Sequence, residues 1–152
     1  VHLDRVKRCV DGKIYVIGGC VDTPLHSVEV YDPTTNAWSV GPPVLTPRSF
    51  MGAAVLGGKL YVAGGEDEEE CALSSMEVFD PQTNAWTELA PMGTARKLFQ
   101  LVAAQGKLYA VGGATNGVTP LSSVEAYDPQ QNRWEAVAPL SGARMCHAMV
   151  AM

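Results

Sequence analysis

Short apolar runs alternate along this chain with breaks rich in glycine, proline, asparagine and aspartate, and the runs have strand length rather than helix length. One kind of run, seen at Gly52 to Leu56 and at residues 101–104, is apolar on both sides and stops at a dipeptide suited to a tight hairpin: Asp11-Gly12, Gly57-Gly58 or Gln105-Gly106. A second run carries a tyrosine and ends in two glycines. A third reads Val-Glu-Val-Tyr or close to it and closes on Asp-Pro-x-x-Asn, where proline presets φ and asparagine tolerates a left-handed backbone. A fourth carries a tryptophan. No segment of useful length has a helical period. The pattern predicts four-stranded antiparallel meanders, here called strands A to D.

The meander recurs. Gly12-Lys13-Ile14-Tyr15-Val16-Ile17-Gly18-Gly19 returns as Gly58-Lys59-Leu60-Tyr61-Val62-Ala63-Gly64-Gly65 and as Gly106-Lys107-Leu108-Tyr109-Ala110-Val111-Gly112-Gly113. Val28-Glu29-Val30-Tyr31-Asp32-Pro33 returns at Met76 and at Val124, and Trp38, Trp86 and Trp134 are 48 residues apart, as are Arg48, Arg96 and Arg144. Repeats of about 1–46, 47–94 and 95–142 follow, with 143–152 aligning as the first strand of a further repeat. A sheet that is apolar on both faces cannot stand alone, so each needs neighbours on two sides. Radial repetition about an axis supplies them, with the tryptophan of strand D filling the wedge between blades and the glycine pair letting neighbouring backbone approach closely. The fold class expected is all-β: propeller blades.

The double glycine, the Tyr-Asp-Pro and the tryptophan at a period near 48 residues resemble the kelch repeat over essentially the whole chain. Shorter WD-type repeats carry Gly-His and Trp-Asp dipeptides, which are absent. The resemblance implies a ring of about six blades, so this chain reads as three blades, half of a ring, with a fourth just begun. In the first repeat the strand A segment 6–10 carries Lys7 and Arg8 where the later repeats have Ala53-Ala54 and Leu101-Val102, which makes it a poor inner strand. The expectation is a fragment forming an open arc, or two such chains pairing into one ring.

Composition bounds the function. The formal charge of -5, with only Arg5, Lys7, Arg8 and Lys13 clustered among the positives, argues against nucleic acid as a partner. No apolar run is long enough to span a membrane. Cys9, Cys20, Cys71 and Cys146 show no CxxC pairing and read as reduced thiols of a cytoplasmic or nuclear protein. His2, His26 and His147 stand at no ligand-like spacing from them, so no metal and no cofactor is expected. A phosphate-binding glycine loop, a nucleophile elbow and paired carboxylates on a rigid site are all missing, and the chain reads as a binding module rather than an enzyme. Galactose-oxidase-like kelch enzymes need a His and Tyr ligand set that three scattered histidines do not supply.

Candidate contacts lie in loops, since blades are scaffold. The resemblance implies ligand binding at the face made by the B–C loops (20–27, 66–75, 114–123) and the D–A loops (41–48, 90–96, 138–144). It points to Arg48, Arg96 and Arg144, with Ser27, Ser75 and Ser123, as contacts for an acidic peptide. The same arginines could instead hold blade ends by bonding loop carbonyls. The sharpest difference between repeats is the acidic run Glu66, Asp67, Glu68, Glu69 and Glu70, either a solvated loop or a docking surface for a basic partner. The tyrosines and tryptophans read as core. The regular Tyr-Asp-Pro-x-x-Asn-x-Trp pattern resembles BTB–kelch adaptors of cullin-type ubiquitin ligases, whose cullin-binding domains are not in this sequence. Target recognition is the function this implies, with an actin or cytoskeletal scaffold as the alternative.

Overall fold

The computed structural model describes residues 6–151. Three four-stranded antiparallel sheets follow one another along the chain, each a meander in sequence order. The first holds β1 (Val6–Val10), β2 (Lys13–Ile17), β3 (Val28–Asp32) and β4 (Ala37–Gly41). The second holds β5 (Gly52–Leu56), β6 (Lys59–Ala63), β7 (Met76–Asp80) and β8 (Ala85–Leu89). The third holds β9 (Gln100–Ala104), β10 (Lys107–Val111), β11 (Val124–Asp128) and β12 (Arg133–Val137). The only helical element among the described residues is a single 3-10 turn, Asn116–Val118, in a loop of the third sheet.

The turns are those the sequence specifies. Both residues of each A–B dipeptide have positive φ, for example 57° and 74° at Gly57 and Gly58, which matches the twist of the flanking strands. Asn36, Asn84 and Asn132 sit at φ 53°, 54° and 47°. The aspartate of Asp-Pro caps its own turn: Asp32 accepts from the Thr34 amide at 2.9 Å, and Asp80 from the Gln82 amide at 2.9 Å. The recurrent lysine after the glycine turn has a partner there too, since Lys59 lies 2.8 Å from Asp80 and Lys13 lies 3.4 Å from Asp32.

Two apolar cores lie between the sheets rather than within them. One joins Tyr15, Ile17, Val28 and Val30 of the first blade to Leu60, Val62, Phe79 and Trp86 of the second. The other joins Tyr61, Ala63, Met76 and Val78 to Leu101, Leu108, Ala110 and Tyr127 of the third. Burying such faces is what makes each sheet stable. Two of the three tryptophans fill these seams, the Trp86 indole donating to the Pro42 carbonyl at 2.8 Å and Trp134 to that of Ala90 at 3.0 Å, whereas Trp38, expected in the core, is exposed because no described blade covers that face of the first sheet. Gly64, at φ 60°, lies where a Cβ would meet the Arg96 carbonyl oxygen, so the double glycine does serve backbone approach.

The ends behave differently from the middle. β1 pairs with β2 in full register, Val6 opposite Ile17 through Val10 opposite Lys13, despite Lys7 and Arg8 in its sequence. The tail 143–151 keeps the repeat's local contacts, with the Arg144 carbonyl accepting from Gly113 at 2.8 Å and the Cys146 amide donating to Leu98 at 2.9 Å. It joins no sheet, because these 152 residues hold no second strand of a fourth blade for it to pair with.

Candidate partner-binding loop face

Successive strands run in opposite directions, so every B–C loop and every D–A connection emerges at the same end of the blades. Backbone bonds tie them together there: Val44 to His26 at 3.0 Å, Arg48 to Leu25 at 3.2 Å, Met92 to Ser74 at 2.9 Å and Arg96 to Leu73 at 3.0 Å.

The arginines expected on this face are mostly elsewhere. Arg48 and Arg96 are fully buried in the seams, each at 0% exposure. Arg48 donates to the carbonyls of Gly64 (2.8 Å) and Ser75 (3.2 Å), to the Ser75 hydroxyl (3.0 Å) and to the Glu77 carboxylate (2.7 Å). Arg96 repeats the arrangement on Gly112, Ser123 and Glu125, the last at 2.6 Å. Glu77 also accepts from the amides of Leu45 (2.7 Å) and Thr46 (3.0 Å), and Glu125 from those of Gly93 and Thr94. Burial lowers the Arg48 guanidinium from its ordinary value, and Glu77 pulls it back up. The reading of Arg48 and Arg96 as a carboxylate-binding mouth is therefore corrected: their terminal guanidinium nitrogens are bonded to the scaffold inside the seams, and Ser75 and Ser123 serve the same clasp. Ser27 and Arg144 remain exposed, one in the first blade and one in the tail.

The acidic run divides as well. Glu66 is ion-paired with Lys97, which is itself buried and also donates to the Glu70 carbonyl at 3.1 Å. Asp67 folds its loop, accepting from the amides of Glu69 (3.1 Å) and Cys71 (2.8 Å). The Ala72 amide donates to the Asn116 side chain, so the loop leans on the third blade. Glu68, Glu69 and Glu70 are left exposed. The loops of this end also expose Val21, Leu45 and Val118, one on each of three loops. The positive charge that could have neutralised these carboxylates is largely buried, so the face is acidic with apolar flanks.

Two features of this site escaped the sequence reading. Glu77 and Glu125 are charges inside apolar strands, and their sharing the arginines' period was the available signal. Lys97 and Glu66 were visible as paired departures, since Lys97 replaces Ser49 and Met145 of the other repeats and Glu66 replaces Cys20 and Ala114. Cys20, Cys71 and Cys146 are free thiols. Among the described residues no group of three or more His, Cys, Asp or Glu could hold a metal ion, and no helix is long and apolar enough to cross a membrane. His147 packs half-buried, its pKa lowered by burial and then by Arg144.

Sequential four-stranded meanders packed face to face, clasped by buried Arg–Glu pairs and bearing their variable loops on one end, define the blades of a β-propeller. The model of the FKB95 kelch-repeats domain matches residues 9–151, and the chain belongs to the kelch-repeat family. Human Kelch-like protein 33 is 46% identical over 57 residues, covering 37% of this chain and 11% of that protein. The mouse Influenza virus NS1A-binding protein homolog is 42% identical over 66 residues, 43% of this chain and 10% of that protein. F-box/kelch-repeat protein At4g39580 of Arabidopsis thaliana is 46% identical over 57 residues, 37% and 15%. The chain thus matches only a small part of the length of these relatives. The solved structure of YjhT superposes with a TM-score of 0.82 at 18% identity, covering 91% of this chain and 52% of that one. The fold is three blades, about half of a six-bladed kelch propeller.

Proposed function

We propose that the loop face binds a protein partner through a basic segment with apolar neighbours, and that the chain is the target-recognition part of a cullin-type ubiquitin-ligase adaptor rather than an enzyme. The observation that carries the first part is the removal of Arg48 and Arg96 into the seams, which leaves the acidic Glu68, Glu69 and Glu70 exposed on a face that also exposes Val21, Leu45 and Val118. Exposed carboxylates on a shaped face raise the encounter rate with a cationic partner and set its register. Apolar tips then contribute the burial that holds it. Ser27 and Arg144 stand at the margins of the same end. The adaptor role rests on membership of the kelch-repeat family and on the Tyr-Asp-Pro-x-x-Asn-x-Trp pattern.

Arrays of Lys/Arg-rich and Asp/Glu-rich peptides, probed with the purified chain, test the charge. Basic peptides are expected to bind, with affinity falling as salt rises. The triple reversal of Glu68, Glu69 and Glu70 to lysine should abolish that preference without lowering stability. Selective capture of acidic peptides, or indifference to the reversal, would sink the reading of the face. Cullin co-purification of the full-length protein, set against actin cosedimentation, tests the adaptor role separately.

A further inference from the structure

The B–C loops of the second and third blades fold alike. In the second, the Asp67 amide donates to the Cys71 carbonyl at 3.1 Å and the Glu70 amide to that of Asp67 at 3.2 Å. In the third, the Thr115 amide donates to Thr119 at 3.1 Å and the Val118 amide to Thr115 at 3.2 Å. Glu70 and Val118 hold the same φ of 61°, a left-handed backbone that a Cβ disfavours. The turn is thus common to both loops, and what differs is how side chains reinforce it.

Three side chains reinforce the second loop. Asp67 accepts from the amides of Glu69 and Cys71, and Asn116 of the third blade's loop accepts from the Ala72 amide. Lys97, in the connection between the two blades, bonds the Glu66 carboxylate at the start of the loop and the carbonyl of Glu70, its left-handed residue. The Lys97 backbone is fixed on the third blade, donating to the Ala114 carbonyl at 2.9 Å and accepting from the Ala114 amide at 2.7 Å. Its side chain therefore ties the acidic loop of one blade to the body of the next. At 6% exposure Lys97 is buried, and its pairing is little screened by salt. Other repeats lack the pair: Ser49 and Met145 stand where Lys97 does, and Cys20 and Ala114 where Glu66 does. A blade folds without it.

We propose that Lys97 is the positioning residue of the loop face: it holds the loop of Glu68, Glu69 and Glu70 in one arrangement before a basic partner arrives. A loop ordered in advance gives up less conformational freedom on binding. This role rests on the basic-partner reading of the face, and it runs against simple charge. Removing Lys97 frees the Glu66 carboxylate and makes the loop more acidic, which by electrostatics alone would tighten a cationic partner. Positioning has the opposite sign: the loop binds a cation better with Lys97 than without it.

Lys97→Met tests this, with the residue that stands at the same place in the tail. Amide exchange reads the loop itself: residues 67–72 should exchange at least about tenfold faster, while Thr115 to Thr119 serve as an unaltered control in the same molecule. Affinity for a fluorescent peptide of repeated Lys-Lys-Leu should fall on the order of tenfold despite the lost positive charge. Its decline with salt should persist, because Glu68, Glu69 and Glu70 are all still present. Asn116→Ala, which cuts the other tie from an exposed side chain, should move both readouts in the same direction. If Lys97→Met loses the near-ultraviolet tryptophan signal of the folded blades, Lys97→Met with Glu66→Gln, which leaves no unpaired carboxylate, carries the same expectations. Unchanged exchange in the loop would overturn the tie whether or not the peptide binds. Faster exchange with equal or tighter binding would overturn the positioning role and leave the basic-partner reading standing. An unaltered chain that ignores the peptide would overturn that reading, and the role of Lys97 with it.

Discussion

A carboxylate on the covered side of an apolar strand destabilises the fold unless its partners are assembled with it, and Glu77 has three, Arg48 and the amides of Leu45 and Thr46, all strengthened by the buried setting. Glu77→Gln keeps the shape but leaves the Arg48 charge uncompensated inside the seam. We expect a loss of about 3–5 kcal/mol, read as a lower urea midpoint with an unchanged slope. The turn aspartates act at the surface and respond to pH. The bond from Lys59, then that from the Gln82 amide, holds Asp80 below its ordinary value of 3.8. The unfolded carboxyl therefore protonates first as pH falls, so the contribution is complete above the unfolded value and drains away as pH drops through the folded one. Asp80→Asn should lower stability at pH 7 and cease to matter at pH 2, measured by urea unfolding at both; an equal loss at both would mean that charge is not involved.

Which residues were legible at this scale follows from what a repeat reveals. Periodicity shows that Arg48, Arg96, Glu77 and Glu125 are each required, but not which way the side chains point, and the burial that pairs them is created by the neighbouring blade. Phe50 and Leu98 adopt φ of 51° and 56°, linked by a 3.0 Å bond from the Leu98 amide to the Phe50 carbonyl. Neither is a residue type that announces a left-handed backbone.

Strands and turns were the most readable level, because strand length, the glycine dipeptides and Asp-Pro-x-x-Asn are local signals. The segments 52–56 and 6–10 form strands with the bounds the pattern gives, while the tail shows that a sequence able to form strand A still needs a ladder partner. Glycine roles separate in the same way. Gly58 and Gly64 both have positive φ, but a Cβ at Gly58 meets nothing within 4 Å while one at Gly64 meets the Arg96 carbonyl and the Phe99 ring. Gly58→Ala should cost about 1 kcal/mol through φ alone. Gly64→Ala adds a steric conflict across the seam and should cost at least about 2 kcal/mol more. Thermal melts of the two variants side by side check this, and equal losses would show that the seam gives way without penalty.

For the whole molecule, stability resides in seams, so it is distributed as in a one-dimensional array of units coupled to nearest neighbours. Among the described residues only the second blade has covered faces on both sides; β4 and β12 are largely exposed along their length. In dilute solution, amide exchange should therefore be slowest in β6 and β7 and faster in the two end blades, with β4 and β12 fastest of all. Exchange that is equally slow in all three blades would show that protection is set within each sheet and not by the covered seams.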